Sequence, residues 1–411
     1  MSYPVRLYTA TAFSARLADE GMPVAVVLLA LHRTGSPGQG AFVLTAWLAP
    51  HVLAAPLTGA AVARVRRPVA LYAGALAAFA VSIAVLSLAV GRLPTALSCA
   101  IAVAGGSCGP FVSGGLSSLV AGLASPGPAR DNAYAWDAAV YNAASAAGPA
   151  AVAALAALLS PATAMVVLGG SSACAAALVV GVLHGRAPDA PPSPREAAVS
   201  VRTPVLREAV AGLSVIMSVR ELRAVTAATS TAFVGLGALS TTAVLLTDSW
   251  GRPSLAGLLL TGFALGALAG CVLAARQRKP WTAHRMVTVG LSGTGLALGA
   301  AAWSPHPALS AAVFAVAGMC DGPVLSATLR LRADHTPARL RAHVFTVGAG
   351  LKISAAACGA ALVGVAAGMP PALLLLTIAG LQLAAALLYL LLRAAPDPDP
   401  DPGPDPAPGP L

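Results

Sequence analysis

Ala102-Val103-Ala104-Gly105, followed by Gly109-Pro110, returns 213 residues later as Ala315-Val316-Ala317-Gly318, followed by Gly322-Pro323. The repetition spreads outward from this core. Pro128-Ala129-Arg130 returns as Pro337-Ala338-Arg339, and Gly59 with Arg66-Arg67-Pro68 returns as Gly270 with Arg278-Lys279-Pro280. Gly35, Pro37, Leu44 and Thr45 return as Gly251, Pro253, Leu260 and Thr261. The matches keep their order, with offsets of 209 to 216. Self-similarity at a held period marks a chain built from two copies of one unit.

The repeated stretches lie in apolar runs. The chain of 411 residues is 57% hydrophobic and 10% charged, where a soluble domain carries about 25% charged residues. Too few polar side chains are present to coat a water-facing surface. Candidate spans fall at about 8–31, 39–62, 68–90, 94–122, 132–159 and 161–184, then at 222–247, 253–275, 285–304, 307–329, 343–367 and 370–392. Such lengths cross a hydrocarbon core of about 30 Å as helices, and in lipid the backbone must satisfy its own hydrogen bonds. The expectation is an all-α integral membrane protein with twelve transmembrane helices in two six-helix pseudo-repeats.

Basic residues set the expected orientation. Twenty of the 25 Lys and Arg fall on one side, three on the other (Arg33, Arg92, Arg252) and two, Arg16 and Lys352, within spans. This places both termini in the cytoplasm and accounts for the net charge of +10 without nucleic acid. Residues 1–184 form the first half, 185–208 a Pro-rich cytoplasmic linker, 209–393 the second half and 394–411 a disordered Pro/Asp-rich tail. Within 204–220, Leu206, Val210, Leu213 and Met217 share one side of a short interfacial helix. The first apolar run carries Arg16, Asp19 and Glu20, which spoils a cleavable signal. Six cysteines lie in apolar segments without a CxxC, as small buried side chains. No nucleophile elbow, phosphate loop, HExxH or dinucleotide turn is present. The chain is therefore expected to be no enzyme and to need no cofactor or metal.

Six spans, a linker and six similar spans resemble the major facilitator superfamily over about 8–393. The family's loop after the second span reads Gly-x-x-x-Asp-Arg-x-Gly-Arg-Arg/Lys. Here Gly59 is followed by Ala63-Arg64-Val65-Arg66-Arg67-Pro68, so Ala63 replaces the acid and Arg66 the second glycine. The Arg64/Arg66/Arg67 run is either a gating loop or a positive anchor. A fifth-span signature of drug/proton antiporters, Gly-x-x-x-Gly-Pro-x-x-Gly-Gly, survives as Gly148-Pro149. A closer variant, Gly105-x-x-x-Gly109-Pro110 with Gly114-Gly115, stands in span four with one extra residue. Gly59, Gly109, Pro110, Gly148, Pro149, Gly270, Gly322 and Pro323 are read as close-packing and kink positions.

Ionisable groups within spans are functional candidates, because burying them in lipid is costly. Arg16, Asp19 and Glu20 stand in span one, Asp137 in span five, Asp321 in span ten and Lys352 in span eleven. Spans three, six, nine and twelve carry none; the resemblance makes these the outer helices and spans one, four, seven and ten the cavity lining. Spacings of three and four place both span-one acids near Arg16, which neutralises one of them. Asp19 lies about eleven residues in, roughly 16 Å, where an acid that loads and releases a proton would serve proton coupling. Lys352 either pairs with Asp321 or attracts an anionic substrate group. Tyr134, Asp137 and Tyr141 share one side, beside Asn142, as a patch for a bulky organic solute or an interfacial anchor.

The resulting expectation is a bacterial, efflux-like secondary transporter, acting as a monomer in the plasma membrane. It exports a small organic compound against protons by alternating access, with the lipid bilayer as its other partner. The alternatives are an importer of a small nutrient such as a sugar or organic acid, and a non-transporting membrane sensor.

Overall fold

The computed structural model describes residues 3–51, 53–55, 57–58, 68–120, 123, 128–184, 205–276, 281–304, 306–336 and 340–394. These residues are helical wherever they are regular. In the first half, α1 is Tyr3–Thr34, α2 Pro37–Leu48, α3 Pro68–Ala89 and α4 Thr95–Gly106. A π-helical turn at Phe111–Gly115 and a last helical turn, Leu116–Leu119, continue α4; α5 is Pro128–Leu158 and α6 Pro161–His184. The second half has α7 Val205–Ser218, α8 Arg220–Asp248, a 3-10 turn at Pro253–Leu255, α9 Ala256–Arg276 and α10 Ala283–Ala301. It ends with α11 Pro307–Asp334, α12 Arg341–Val365 and α13 Pro371–Ala394. Among the described residues nine helices are long and apolar enough to cross a membrane. The expected gating loop (Gly59, Arg64, Arg66, Arg67), the linker up to residue 204 and the tail from 395 lie outside the described residues.

Local chemistry sets the boundaries. Proline occupies the first position of α2, α3, α5, α6, α11 and α13, where its missing N–H belongs to a group left unbonded anyway. Thr11, Thr45 and Thr242 return their hydroxyls to the carbonyls of Leu7, Ala41 and Ala238, so polar atoms in apolar helices stay satisfied.

The repeat is visible in the backbone. Gly35 and Gly251, matched in the sequence, carry φ of 66° and 68°, a left-handed conformation that glycine adopts without strain. Each precedes a proline that opens the next element, Pro37 and Pro253. The packing repeats too. Gly105 of α4 faces Trp47 of α2, and its match Gly318 of α11 faces the backbone of Phe263 on α9. Gly109 faces His51, and its match Gly322 faces the backbone of Ala267. Trp47 and His51 precede Phe263 and Ala267 by the same 216 residues. Two helix pairs thus approach closely through small residues in equivalent places.

The π turn explains the extra residue before Gly114-Gly115. A π turn holds one more residue than an α turn, and Phe111–Gly115 is that turn, set off behind Pro110. Tyr72 of α3 braces it, donating its hydroxyl to the Gly115 carbonyl at 2.9 Å and meeting Phe111 edge-on.

The halves touch at the end carrying the turns 35–36, 159–160, 249–252 and 366–370. Gly38, in the first turn of α2, lies against Gly364 at the end of α12. Gly257, in the first turn of α9, lies against Pro149 and Ala153 of α5. Thr261 donates to the Ala146 carbonyl at 3.3 Å. Ala41, Val363 and Leu374 form a small shared core there. The cysteines depart from expectation: none is fully buried, and Cys174 and Cys358 are exposed.

Candidate functional site

Arg16 is the deepest charge of the first half, 2% exposed. Its Nη1 pairs with Asp137 Oδ1 of α5 at 2.8 Å and also donates to the Asp137 backbone carbonyl at 3.0 Å. Its Nη2 donates to Ser117 Oγ at 2.8 Å, and Ser117 donates onward to Asp137 Oδ2 at 2.7 Å. The Tyr8 hydroxyl donates to Asp137 Oδ1 at 2.5 Å. The π turn directly before it delivers Ser117 to this point. Three segments of the first half are thereby tied through one carboxylate.

This corrects the expected pairing on α1. The guanidinium has five donors in a fixed fork, and Asp137 with Ser117 offers a convergent set of acceptors that no single neighbour on the same helix offers. Arg16 also lies over the Tyr141 ring at 5.3 Å. Asp19 and Glu20 are left without a contacting cation among the described residues. Asp19 sits beside Trp47, whose buried indole N–H has no hydrogen-bond partner within 3.5 Å. Glu20 faces Tyr141 and Ser145 of α5, with Gly148 tight against its backbone.

The second half supplies the other wall. Asp321 and Lys352 do not form the expected ion pair: no contact within 4 Å joins them, although each lies within reach of the other's charge. Lys352 Nζ rests instead 4.4 Å from the centre of the Phe233 ring of α8, a cation–π contact. Lys352 also feels Arg332 and, across the two halves, Glu20. Asp19, Glu20, Asp321 and Lys352 are enclosed by the bundle yet only half-buried. Side chains deep in a fold that still admit water line an internal space.

Of the expected solute patch, Tyr141 shares this space with Glu20, and Asn142 is exposed. Tyr134 lies on α5, with its side chain outside the described set. Pro323 stands inside α11, one residue after Gly322 and two after Asp321. Gly270 packs on the Met319 backbone. A separate cavity of about 400 Å³ opens at the turn end, lined by His32, Ser160 and Arg252 among others. Among the described residues no group of three or more His, Cys, Asp or Glu could hold a metal ion.

Sequence reasoning missed Tyr8, Ser117, Trp47, His51, Phe233 and Arg332. Arg332 was counted with the cytoplasmic loop bases but is 4% exposed inside the second half. The helical register carried a signal: Arg332 is eleven residues after Asp321, three turns along the same face of α11. His51 is 7% exposed, and its Nδ1 has no hydrogen-bond partner.

The profile of the Major Facilitator Superfamily matches residues 9–246 and 225–410. The MFS-type transporter y4rN of Sinorhizobium fredii is 28% identical over 360 residues, covering 85% of each chain. The fold is similar to that of the POT family transporter PepTSo, with a TM-score of 0.74 at 14% identity over 96% of this chain and 98% of that one. It is equally similar to the nucleoside transporter NupG, with a TM-score of 0.74 at 9% identity over 95% and 99%. A multi-pass bundle, an internal repeat across which charged side chains face each other and a family profile over both halves lead to one conclusion: the chain belongs to the Major Facilitator Superfamily and is a secondary membrane transporter of a small molecule.

Proposed function

We propose that this transporter exports a small organic compound in exchange for protons, from twelve spans with both termini in the cytoplasm of a bacterial plasma membrane. It works as a monomer. The observation that carries this reading is the convergence of Asp19 and Glu20 from one half with Asp321 and Lys352 from the other in one partly accessible interior. A purely structural bundle gains nothing from unpaired acids at that depth, because each costs several kcal/mol. An acid facing an internal space of a two-half transporter can take a proton from one side and release it to the other. With the termini in the cytoplasm, the contacts Gly38–Gly364 and Gly257–Pro149 hold the halves together at the outer end. Gly148-Pro149 supports export. Gly148 packs on the backbone of Glu20, and the Pro149 carbonyl meets Gly257 of the other half, so the antiporter-like element links the acid to the contact between the halves.

Accumulation of fluorescent anionic, zwitterionic and cationic solutes in an efflux-deficient bacterial host tests the direction. Expression is expected to lower the accumulation of at least one solute several-fold, and a protonophore to abolish the effect. Raised accumulation would turn the reading to uptake.

A further inference from the structure

Two cations stand on the second half's wall of the internal space, and neither touches a carboxylate among the described residues. Arg332 is 4% exposed, and its Nε and Nη2 have no hydrogen-bond partner. It lies flat against α12 at Gly348, where an added Cβ would come within 2.5 Å of Cζ. Lys352 follows Gly348 by one helical turn, on the same face of α12. Its ammonium rests on the Phe233 ring rather than on Asp321. A buried charge without a partner is costly. Two of the same sign on one wall repel each other through a weakly screened interior. The arrangement is stable in function if an anion completes it.

We propose that Lys352 anchors a carboxylate or phosphate group on the transported solute, with Arg332 the buried charge that reinforces it. The proposal rests on the transporter reading above and adds the chemical class of the substrate. The half-buried ammonium is the contact group, and Arg332 acts through its field as a positioning residue. Phe233 offers an apolar surface for the body of the solute next to its charged end. Glu20, within reach of Lys352 from the facing half, is the group an incoming anion displaces from the electrostatic partnership.

The test uses the purified full chain in detergent, with sodium benzoate, phenyl phosphate and benzylammonium chloride as probes at matched ionic strength. The unfolding midpoint is followed against probe concentration for wild type, Lys352→Gln, Arg332→Gln and Arg332→Lys. Benzoate or phenyl phosphate is expected to raise the wild-type midpoint in a saturable way, and the stronger of the two identifies the anionic group. Lys352→Gln is expected to weaken the apparent affinity at least about tenfold. Arg332→Gln should weaken it by about three- to tenfold through loss of the buried field, and Arg332→Lys should restore most of it. Without probe, Arg332→Gln is expected to match or exceed the wild-type midpoint, since it removes a buried unpartnered charge and leaves the contact at Gly348 to the shorter side chain; a fall of several degrees would make Arg332 a structural brace and overturn its role here. Equal affinity in wild type and Lys352→Gln, a response to benzylammonium alone, or no response to either anion overturns the proposal. Those outcomes leave proton-linked transport standing if the accumulation assay shows it. A chain that binds the anions but changes the accumulation of no solute fails the transport reading instead.

Discussion

Replacing Arg16 with glutamine is expected to destabilise the protein by about 3–5 kcal/mol, the cost of stranding a buried partner charge. Arg16 is 2% exposed and Asp137 13%, so water cannot take over the lost contacts. The Tyr8 and Ser117 hydroxyls still donate to Asp137, which holds the loss towards the lower end of that range. The same network ties α1, α5 and the segment after the π turn, so the whole first half loosens. Arg16→Gln combined with Asp137→Asn removes both charges and is expected to recover most of the stability. Exchanging a buried ion pair for neutral partners of similar shape is often close to neutral. Thermal unfolding of the purified chain in detergent checks both variants. A single variant as stable as wild type, or a double variant no better than the single, would show that this pair does not hold the half together.

A second large effect is expected at Gly318. A valine there would drive its Cβ into the carbonyl of Phe263. The obstacle is backbone, which cannot swing aside as a side chain does. The neighbouring contacts Gly266–Ala315, Gly270–Met319 and Gly322–Ala267 hold α9 and α11 along their length, so the pair must separate as a unit. The cost should exceed the roughly 1–3 kcal/mol of ordinary overpacking. Gly318→Val is expected to abolish recovery of monodisperse protein. Gly380→Ala on α13 is the control: nothing lies within 4 Å of its added Cβ, and alanine favours the helix by about 0.8–1 kcal/mol. Normal recovery of Gly318→Val would contradict the close-packing account.

The sequence made the architecture readable because the features that set it are dense and local. Apolar runs fix helices in lipid, and the ordered matches between halves survive as equal φ values at Gly35 and Gly251 and as equivalent contacts at Gly105 and Gly318. The one extra residue before Gly114-Gly115 already carried the π turn. The site was readable as a set of residues but not as a set of partners. Helical spacing shows which side chains share a face, so Arg16 was matched with Asp19 and Glu20 three and four residues away. Its partner Asp137 is 121 residues distant, and only the packing of α5 on α1 brings it near. The sequence leaves Lys352 either the adjacent acid or an anionic solute group, and gives no sign of the Phe233 ring of α8 on which its ammonium rests. Arg332 was hidden by counting bases near a span end as loop bases, whereas α11 continues to Asp334 and carries the arginine back into the bundle.

The most direct test of the central claim is proton movement through Asp19 and Glu20. The wild type and an Asp19→Asn, Glu20→Gln double variant would be reconstituted in liposomes holding an internal pH dye. A solute whose cellular accumulation the wild type alters would then be added under an imposed pH gradient. Solute-dependent proton flux is expected in the wild type, with a fall of at least about 100-fold in the double variant, comparable to losing a positioned proton-transfer group. The variant's solute exchange without a gradient should persist. Wild-type solute flux with no accompanying protons, or undiminished proton flux in the double variant, would contradict the central claim.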